Sequence, residues 1–231
     1  KLENLDKYEE RFHEAEENLK KSREELETVS HKLSVIRQKY SQMLTDKITE
    51  GLKDLNFLDV QFQITFCRRK EYTAGGFDDI EYEISTNPGE SLKPLGKIVS
   101  GGELSRIMLA IKAILADRDQ IETLIFDEID TGISGRTAQK VSEKMALIGR
   151  CHQVLCITHL PQIAAMADTH FEIEKHQKDN ETITEIHPLE GDDSVRELAR
   201  LLGGAELTQA VFDNAKEMKE LAQVHKNTRL K

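Results

Sequence analysis

A chain of 231 residues, 38% hydrophobic and 32% charged, has room for one or two folded domains, with a core confined to part of its length. A formal net charge of −10 repels phosphate backbones on average, so any nucleic-acid contact has to be local or indirect. No run approaches the roughly 18 apolar residues of a membrane span, and the amino terminus carries no charged-then-apolar leader. Cys67, Cys151 and Cys156 are odd in number and lack C-x-x-C spacing, which argues against a disulfide framework, so a cytoplasmic protein is expected.

In chain order, Leu5, Phe12, Leu19, Leu26, Leu33 and Tyr40 fall seven apart, with Tyr8, Ala15, Ser22, Val29, Ile36 and Met43 three later. This is an a/d heptad record. Lys and Glu fill the intervening positions, so residues 1–46 read as one coiled-coil strand, about 65 Å long at roughly 1.5 Å per residue. A coil strand needs a partner helix, and none of comparable pattern follows. The pattern is already in phase at residue 5, so the chain is expected to enter in the middle of a longer coil. The alternative is a single amphipathic helix lying on the domain by its apolar stripe.

After Gly51 the period changes from helical to two. Val60, Phe62, Ile64 and Phe66 alternate with polar neighbours, as do Ile80, Tyr82 and Ile84, and Thr73-Ala74-Gly75-Gly76 supplies turn residues between them. The pattern predicts a β-hairpin with one buried face. Arg68-Arg69-Lys70, at its strand end, is read as a solvated turn rather than a nucleic-acid patch. A loop through Asn87-Pro88-Gly89 and Pro94-Leu95-Gly96 leads to a helix opened by Ser100, with Leu104, Ile107, Met108, Ile111, Ile114 and Leu115 on its core-facing side.

Residues 123–126 and 154–158 then read as buried strands, 137–148 and 161–167 as helices, an alternation that implies a parallel sheet. Residues 171–173 and 182–186 form a late hairpin around Lys178-Asp179-Asn180, and 194–202 and 208–224 are helical by pattern. The division expected is a coil segment 1–46, a lobe 47–190 and a helical segment 191–231.

Three of these element ends carry chemistry. Ser100-Gly101-Gly102-Glu103 points free backbone N–H groups and a positive helix end at an anion. The serine and glutamate also fit a capping box, but two glycines exceed what a cap requires and allow another molecule's phosphate to approach the backbone. Asp127 and Glu128 end an apolar strand, where open α/β sheets place their ligands. Adjacent strand side chains point opposite ways, so the two carboxylates take different roles unless the strand is already turning. His159 ends the second strand. Cys151, His152, Cys156 and His159 invite a zinc reading, but their spacing is not a familiar ligand set and a strand would splay them to opposite faces.

Ile98 to Arg106, Leu124 to Glu128 and Ile157-Thr158-His159, in this order, resemble the signature loop, Walker B strand and switch histidine of an ATP-binding cassette domain. Within that superfamily, Phe126 to Gly135, Thr158 to Ala164 and Arg196 to Gly204 are similar to the RecN family, bacterial SMC-like ATPases of DNA double-strand break repair and recombination. The likeness runs through most of residues 50–204.

It implies an α/β fold: the carboxy-terminal lobe of an ABC/SMC-like ATPase head, a parallel sheet with flanking helices and β-hairpins, preceded by a coiled-coil helix. It also implies ATP and Mg²⁺ as ligands, with Asp127 holding the metal mostly through water and Glu128 positioning or deprotonating the attacking water. His159 would report on the γ-phosphate. Ser100, Gly101, Gly102 and Glu103 would close over the nucleotide of an opposing head, and Asp130, Thr131 and Gly132 would form a D-loop that contacts the opposing site. Ser134 stands where many relatives carry aspartate, and Val99 where the family has leucine. Arg106 either links the signature loop to the coil or forms a surface salt bridge.

No G-x-x-x-x-G-K-[ST] occurs, since Gly96-Lys97 is followed by Ile98. The likeness therefore implies a partner, the Walker A-containing amino-terminal lobe of the same protein, and no hydrolysis by this polypeptide alone. It further implies homodimerisation through ATP-bound heads, DNA contact through the full assembly at the nucleoid, and no membrane partner. The alternatives are another SMC-like chromosome-organising head and a non-enzymatic coiled-coil scaffold module.

Overall fold

A computed structural model of the chain describes residues 2–98, 100–116, 118, 120–178, 181–204 and 206–228, with the side chains of 2–6 and 178 left undescribed. Val99, the turn residues Asp179 and Asn180, and the side chain of the heptad residue Leu5 lie outside this set. Two compact units separate, one formed by residues 1–49 and 61–96, the other by 50–60 and 97–231.

The heptad segment is one uninterrupted helix, α1 (Leu2–Asp54), whose first glycine is Gly51. In the first unit it accompanies β1 (Gln61–Thr73) and β2 (Gly76–Ser85), an antiparallel hairpin in the register Phe62↔Ile84, Ile64↔Tyr82 and Phe66↔Ile80, edged by the short β3 (Lys93–Pro94). Gly76 turns the hairpin at φ +87°, a left-handed conformation that glycine adopts without steric cost.

α1 lies on this hairpin by a polar face. Ser34 Oγ donates to Asp78 at 2.7 Å, Arg37 donates to Asp78 at 3.0 Å and to Gly75 O at 2.8 Å, and Arg68 and Tyr72 both donate to Glu27. The heptad seam points elsewhere: Leu19, Leu26, Val29, Ile36, Tyr40 and Met43 are all exposed. The alternative of a lone helix lying on the domain by its apolar stripe is therefore not what is observed. Arg68 and Arg69 sit within β1 rather than in a turn, and each is paired with a carboxylate, Glu27 and Asp79 respectively.

In the second unit, α2 (Gly101–Leu115), β4 (Thr123–Phe126), α3 (Gly135–Ile148), β5 (Gln153–Cys156) and α4 (Pro161–Ala165) follow one another. β4 and β5 pair in parallel, Thr123 with Gln153 through Phe126 with Cys156. Ile107, Leu109 and Ala110 of α2, and Ala138, Val141, Met145 and Ile148 of α3, are buried. Gly51 lies against α2, where an added Cβ would be 3.7 Å from Ala110 and Ile114.

The apolar runs at 123–126 and 154–158 predict buried strands, and a parallel sheet is ordinarily covered on both faces. These strands are not: Ile125 is 69% exposed, Leu155 47% and Ile157 57%. One face of the β4–β5 pair is bare apolar surface. The hairpin of β6 (His170–Lys178) and β7 (Glu181–Leu189) is longer than its apolar pattern suggests, and Phe171, Ile173 and Ile186 on it are exposed. α5 (Gly191–Gly203) and α6 (Gln209–Thr228) bury Leu198, Ala199, Ala215 and Ala222 with Ala164, Ala165 and Met166. Lys226 binds the end of α4 through Met166 O and Asp168. Among the described residues, no helix is long and apolar enough to cross a membrane.

Candidate nucleotide site

β4 ends at Phe126 and the chain turns at once. The Glu128 N–H donates to Asp127 Oδ1 at 2.9 Å, Glu128 itself takes φ +55°, and Thr131 N–H closes the turn on Glu128 O at 3.0 Å. A left-handed conformation costs a non-glycine residue on the order of 1–3 kcal/mol, which the surroundings have to supply. The strand alternation that would send the two carboxylates to opposite faces has thus already lapsed, and Asp127 and Glu128 are both exposed.

The start of α2 is packed on this turn. Ser100 is the N-cap, its Oγ accepting from Glu103 N–H at 3.4 Å and its carbonyl from Leu104 N–H at 3.0 Å. A Cβ on Gly101 would stand 2.8 Å from Glu128 Oε2, and one on Gly102 would stand 2.8 Å from Glu128 O and 3.0 Å from Thr131 Cβ. Gly102 is buried, so its missing side chain makes room for this chain's own backbone, not for another molecule's phosphate as the spacing suggested. Gly101 is exposed and faces only a movable side chain.

The next turn of α2 adds two more ties. Ser105 Oγ donates to Asp127 O at 3.0 Å, and Arg106 Nη1 donates to Thr131 O at 2.8 Å and Ile129 O at 3.4 Å. Arg106 is 8% exposed, with its guanidinium carbon 5.4 Å from the ring centroid of Phe57, just beyond the end of α1. Burial pushes its pKa down, partly opposed by Glu103. It is not a surface salt bridge; it is a buried donor between Phe57, three residues past the end of α1, and the loop after β4. Of the core-facing stripe expected for α2, Ile107 is buried while Leu104, Met108, Ile111, Ile114 and Leu115 are half-buried, and the fully buried positions beside Ile107 are Gly102, Arg106, Leu109 and Ala110. Arg106 at helical spacing from Gly102 and Leu109–Ala110 was the available signal.

Asp130 is turned inward. Its side chain is 4% exposed, and Oδ2 accepts from Thr158 Oγ1 at 2.6 Å and His159 N–H at 2.9 Å, with His159 Nδ1 at 3.0 Å. His159 is held on its Nδ1 side while its ring stays 73% exposed. Thr131 and Gly132 face solvent. Of the three residues expected to form a D-loop, then, Asp130 is bonded within this chain and the other two are exposed. Ser100, Gly101, Asp127, Glu128 and His159 are also exposed, and Glu103 is half-buried.

Two residues of the suspected zinc cluster are committed otherwise. The ring nitrogens of His152 lie 2.6 Å from Ile121 O and 3.0 Å from Ala116 O. Burial, then Asp130 and Asp127, pushes the Cys156 thiol up to about 12. Among the described residues, no three His, Cys, Asp or Glu gather to hold a metal.

No protein-family model matches the chain. Curated relatives do. DNA repair protein RecN of Halalkalibacterium halodurans is 43% identical over 216 residues, covering 92% of this chain and 38% of the relative. RecN of Bacillus subtilis is 43% identical over 211 residues, covering 85% and 37%, and that of Haemophilus influenzae 39% over 215 residues, covering 91% and 38%. Among solved structures, an Smc head domain with an extended coiled coil from Pyrococcus furiosus aligns with TM-score 0.50 at 18% identity, over 75% of this chain and 40% of that one. The head domain from Pyrococcus yayanosii aligns at 0.49 and 20% identity, over 71% and 29%. The first of these shows the fold, α/β of the SMC-head type. With the relatives matched over most of its residues while it spans 38% of the first of them, the chain belongs to the RecN family of DNA repair proteins.

Proposed function

We propose that this chain is the carboxy-terminal half of an SMC-like ATPase head: the coil strand 1–46, the lobe 47–190 and a closing helical segment 191–231. It completes an ATP site with the Walker A-containing amino-terminal lobe of the same protein and drives ATP-dependent head dimerisation in DNA double-strand break repair and recombination. The observation that carries the reading is the convergence at one end of β4. The exposed carboxylate of Glu128 lies against Gly101 at the capped start of α2, with the exposed Asp127 beside it in the same turn and no phosphate cradle motif anywhere in the sequence. The bare face of Ile125, Leu155 and Ile157 supports a missing lobe, because covering each such side chain contributes about 1.5–3 kcal/mol.

In this reading Asp127 holds Mg²⁺, and Mg²⁺ bound with ATP neutralises charge on the phosphates. Glu128 accepts a proton from water, a role worth about 10²–10⁴-fold. Asp130 fixes the His159 ring through Nδ1, so that Nε2 is the nitrogen available to a γ-phosphate. Ser100 and Gly101 offer the N-terminus of α2, a 15-residue helix, to the nucleotide of an opposing head. DNA is engaged by the assembled protein at the nucleoid.

The test compares full-length protein, its Glu128→Gln variant and this chain alone, by steady-state ATPase rate and light scattering. Full-length protein hydrolyses ATP, Glu128→Gln loses about 10²-fold or more of the rate and accumulates as a nucleotide-bound dimer, and this chain alone does neither. Robust turnover by the lone chain contradicts the half-site reading.

A further inference from the structure

The buried guanidinium of Arg106 stands between the capped start of α2 and the loop that carries Asp130. Its Nη1 reaches the carbonyls of Ile129 and Thr131, the two neighbours of Asp130, at 3.4 and 2.8 Å. Asp130 in turn receives the His159 N–H, the His159 ring nitrogen and the Thr158 hydroxyl on one carboxylate oxygen. The hydrogen-bond acceptors of Arg106 among the described residues are carbonyl oxygens, the Phe57 ring packs against its guanidinium, Glu103 acts on it electrostatically, and its Nε is buried with no acceptor. A guanidinium held this way is oriented by the loop it supports, and removing it leaves two carbonyls to find other donors.

We infer that Arg106 is a positioning residue for His159: it fixes the backbone on both sides of Asp130, and Asp130 fixes the imidazole. The inference deepens the proposed ATPase reading and rests on it for the catalytic consequence alone. Arg106 lies one helical turn beyond Gly102, so the same side chain ties the α2 start, offered to an opposing head, to the histidine of its own head. A displacement of that helix end is thereby delivered to the imidazole.

The experiment uses full-length protein with Arg106→Met, which fills the stem but donates nothing, and Arg106→Lys, which keeps donors at the position. The first readout is amide hydrogen exchange without nucleotide. Arg106→Met speeds exchange about tenfold or more in 128–134 and 157–160 while α3 and α5 keep their protection, and Arg106→Lys stays within about threefold of wild type. The second is kinetic. Arg106→Met lowers kcat on the order of tenfold to a hundredfold while KM for ATP stays within about twofold, because an imidazole out of place affects chemistry more than nucleotide capture. Unchanged exchange at 157–160 in Arg106→Met, or an increase spread equally through α3 and α5, overturns the inference. Failure of the wild-type protein to hydrolyse ATP would instead defeat the ATPase reading, leaving the exchange experiment to decide the role of Arg106.

Discussion

Gly101 and Gly102 are adjacent in one motif, yet the structure gives them different reasons to be glycine, and replacing each by alanine separates the two. At Gly102 the new Cβ would meet Glu128 O at 2.8 Å and Thr131 Cβ at 3.0 Å, both in a loop pinned by Arg106 and Ser105. Backbone at that distance cannot swing aside, and overpacking of this kind costs about 1–3 kcal/mol. At Gly101 the obstacle at 2.8 Å is Glu128 Oε2, the far end of an exposed side chain. It moves away, leaving the helical preference of alanine, up to about 1 kcal/mol, as a gain. Gly102→Ala should therefore be less stable than Gly101→Ala by about 1–3 kcal/mol, a difference of roughly 2–12 °C in Tm for a chain of this size. Urea and thermal denaturation followed by circular dichroism measure it. Equal stabilities, or Gly102→Ala the more stable, would refute the argument that the second glycine is kept for intramolecular packing.

Three further outcomes concern Asp130 in this loop and Cys156 at the end of β5. Asp130→Asn removes the negative charge that three donors share and should cost about 1.5–3 kcal/mol by denaturant titration, with faster exchange of the His159 amide; an unchanged midpoint would mean that the inward carboxylate contributes nothing. Cys156, its thiol pushed up to about 12, stays protonated in the fold at pH 8 and should be alkylated by iodoacetamide after Cys67 and Cys151, both exposed, in peptide mass spectra. Because the unfolded thiol loses its proton first, near its ordinary value, Cys156 should make the fold less stable as pH rises from about 9 toward 12. Cys156→Ala should flatten that decline, and alkylation of Cys156 at the rate of Cys67 would contradict its partial burial.

What the sequence determined by itself was everything that depends on neighbours along the chain. Heptad spacing specified α1, period-two alternation specified β1 and β2, and a serine three residues before Glu103 specified the cap of α2, because helix, strand and cap are set by interactions spanning a few residues. The ordered motifs ending β4, β5 and the loop before α2 pointed to the nucleotide chemistry and the family. The tertiary structure decided which faces meet. It put a polar face of α1, Glu27 to Arg37, on the hairpin and left the heptad seam exposed. It buried only one side of β4 and β5, turned Asp130 toward His159, filled the space at Gly102 with the chain's own loop, and made Arg106 the tie between α2 and that loop. These outcomes join residues 20 to 50 positions apart, and a pattern with a period of two or 3.6 residues carries no record of such pairings, since burial depends on what arrives from elsewhere in the chain.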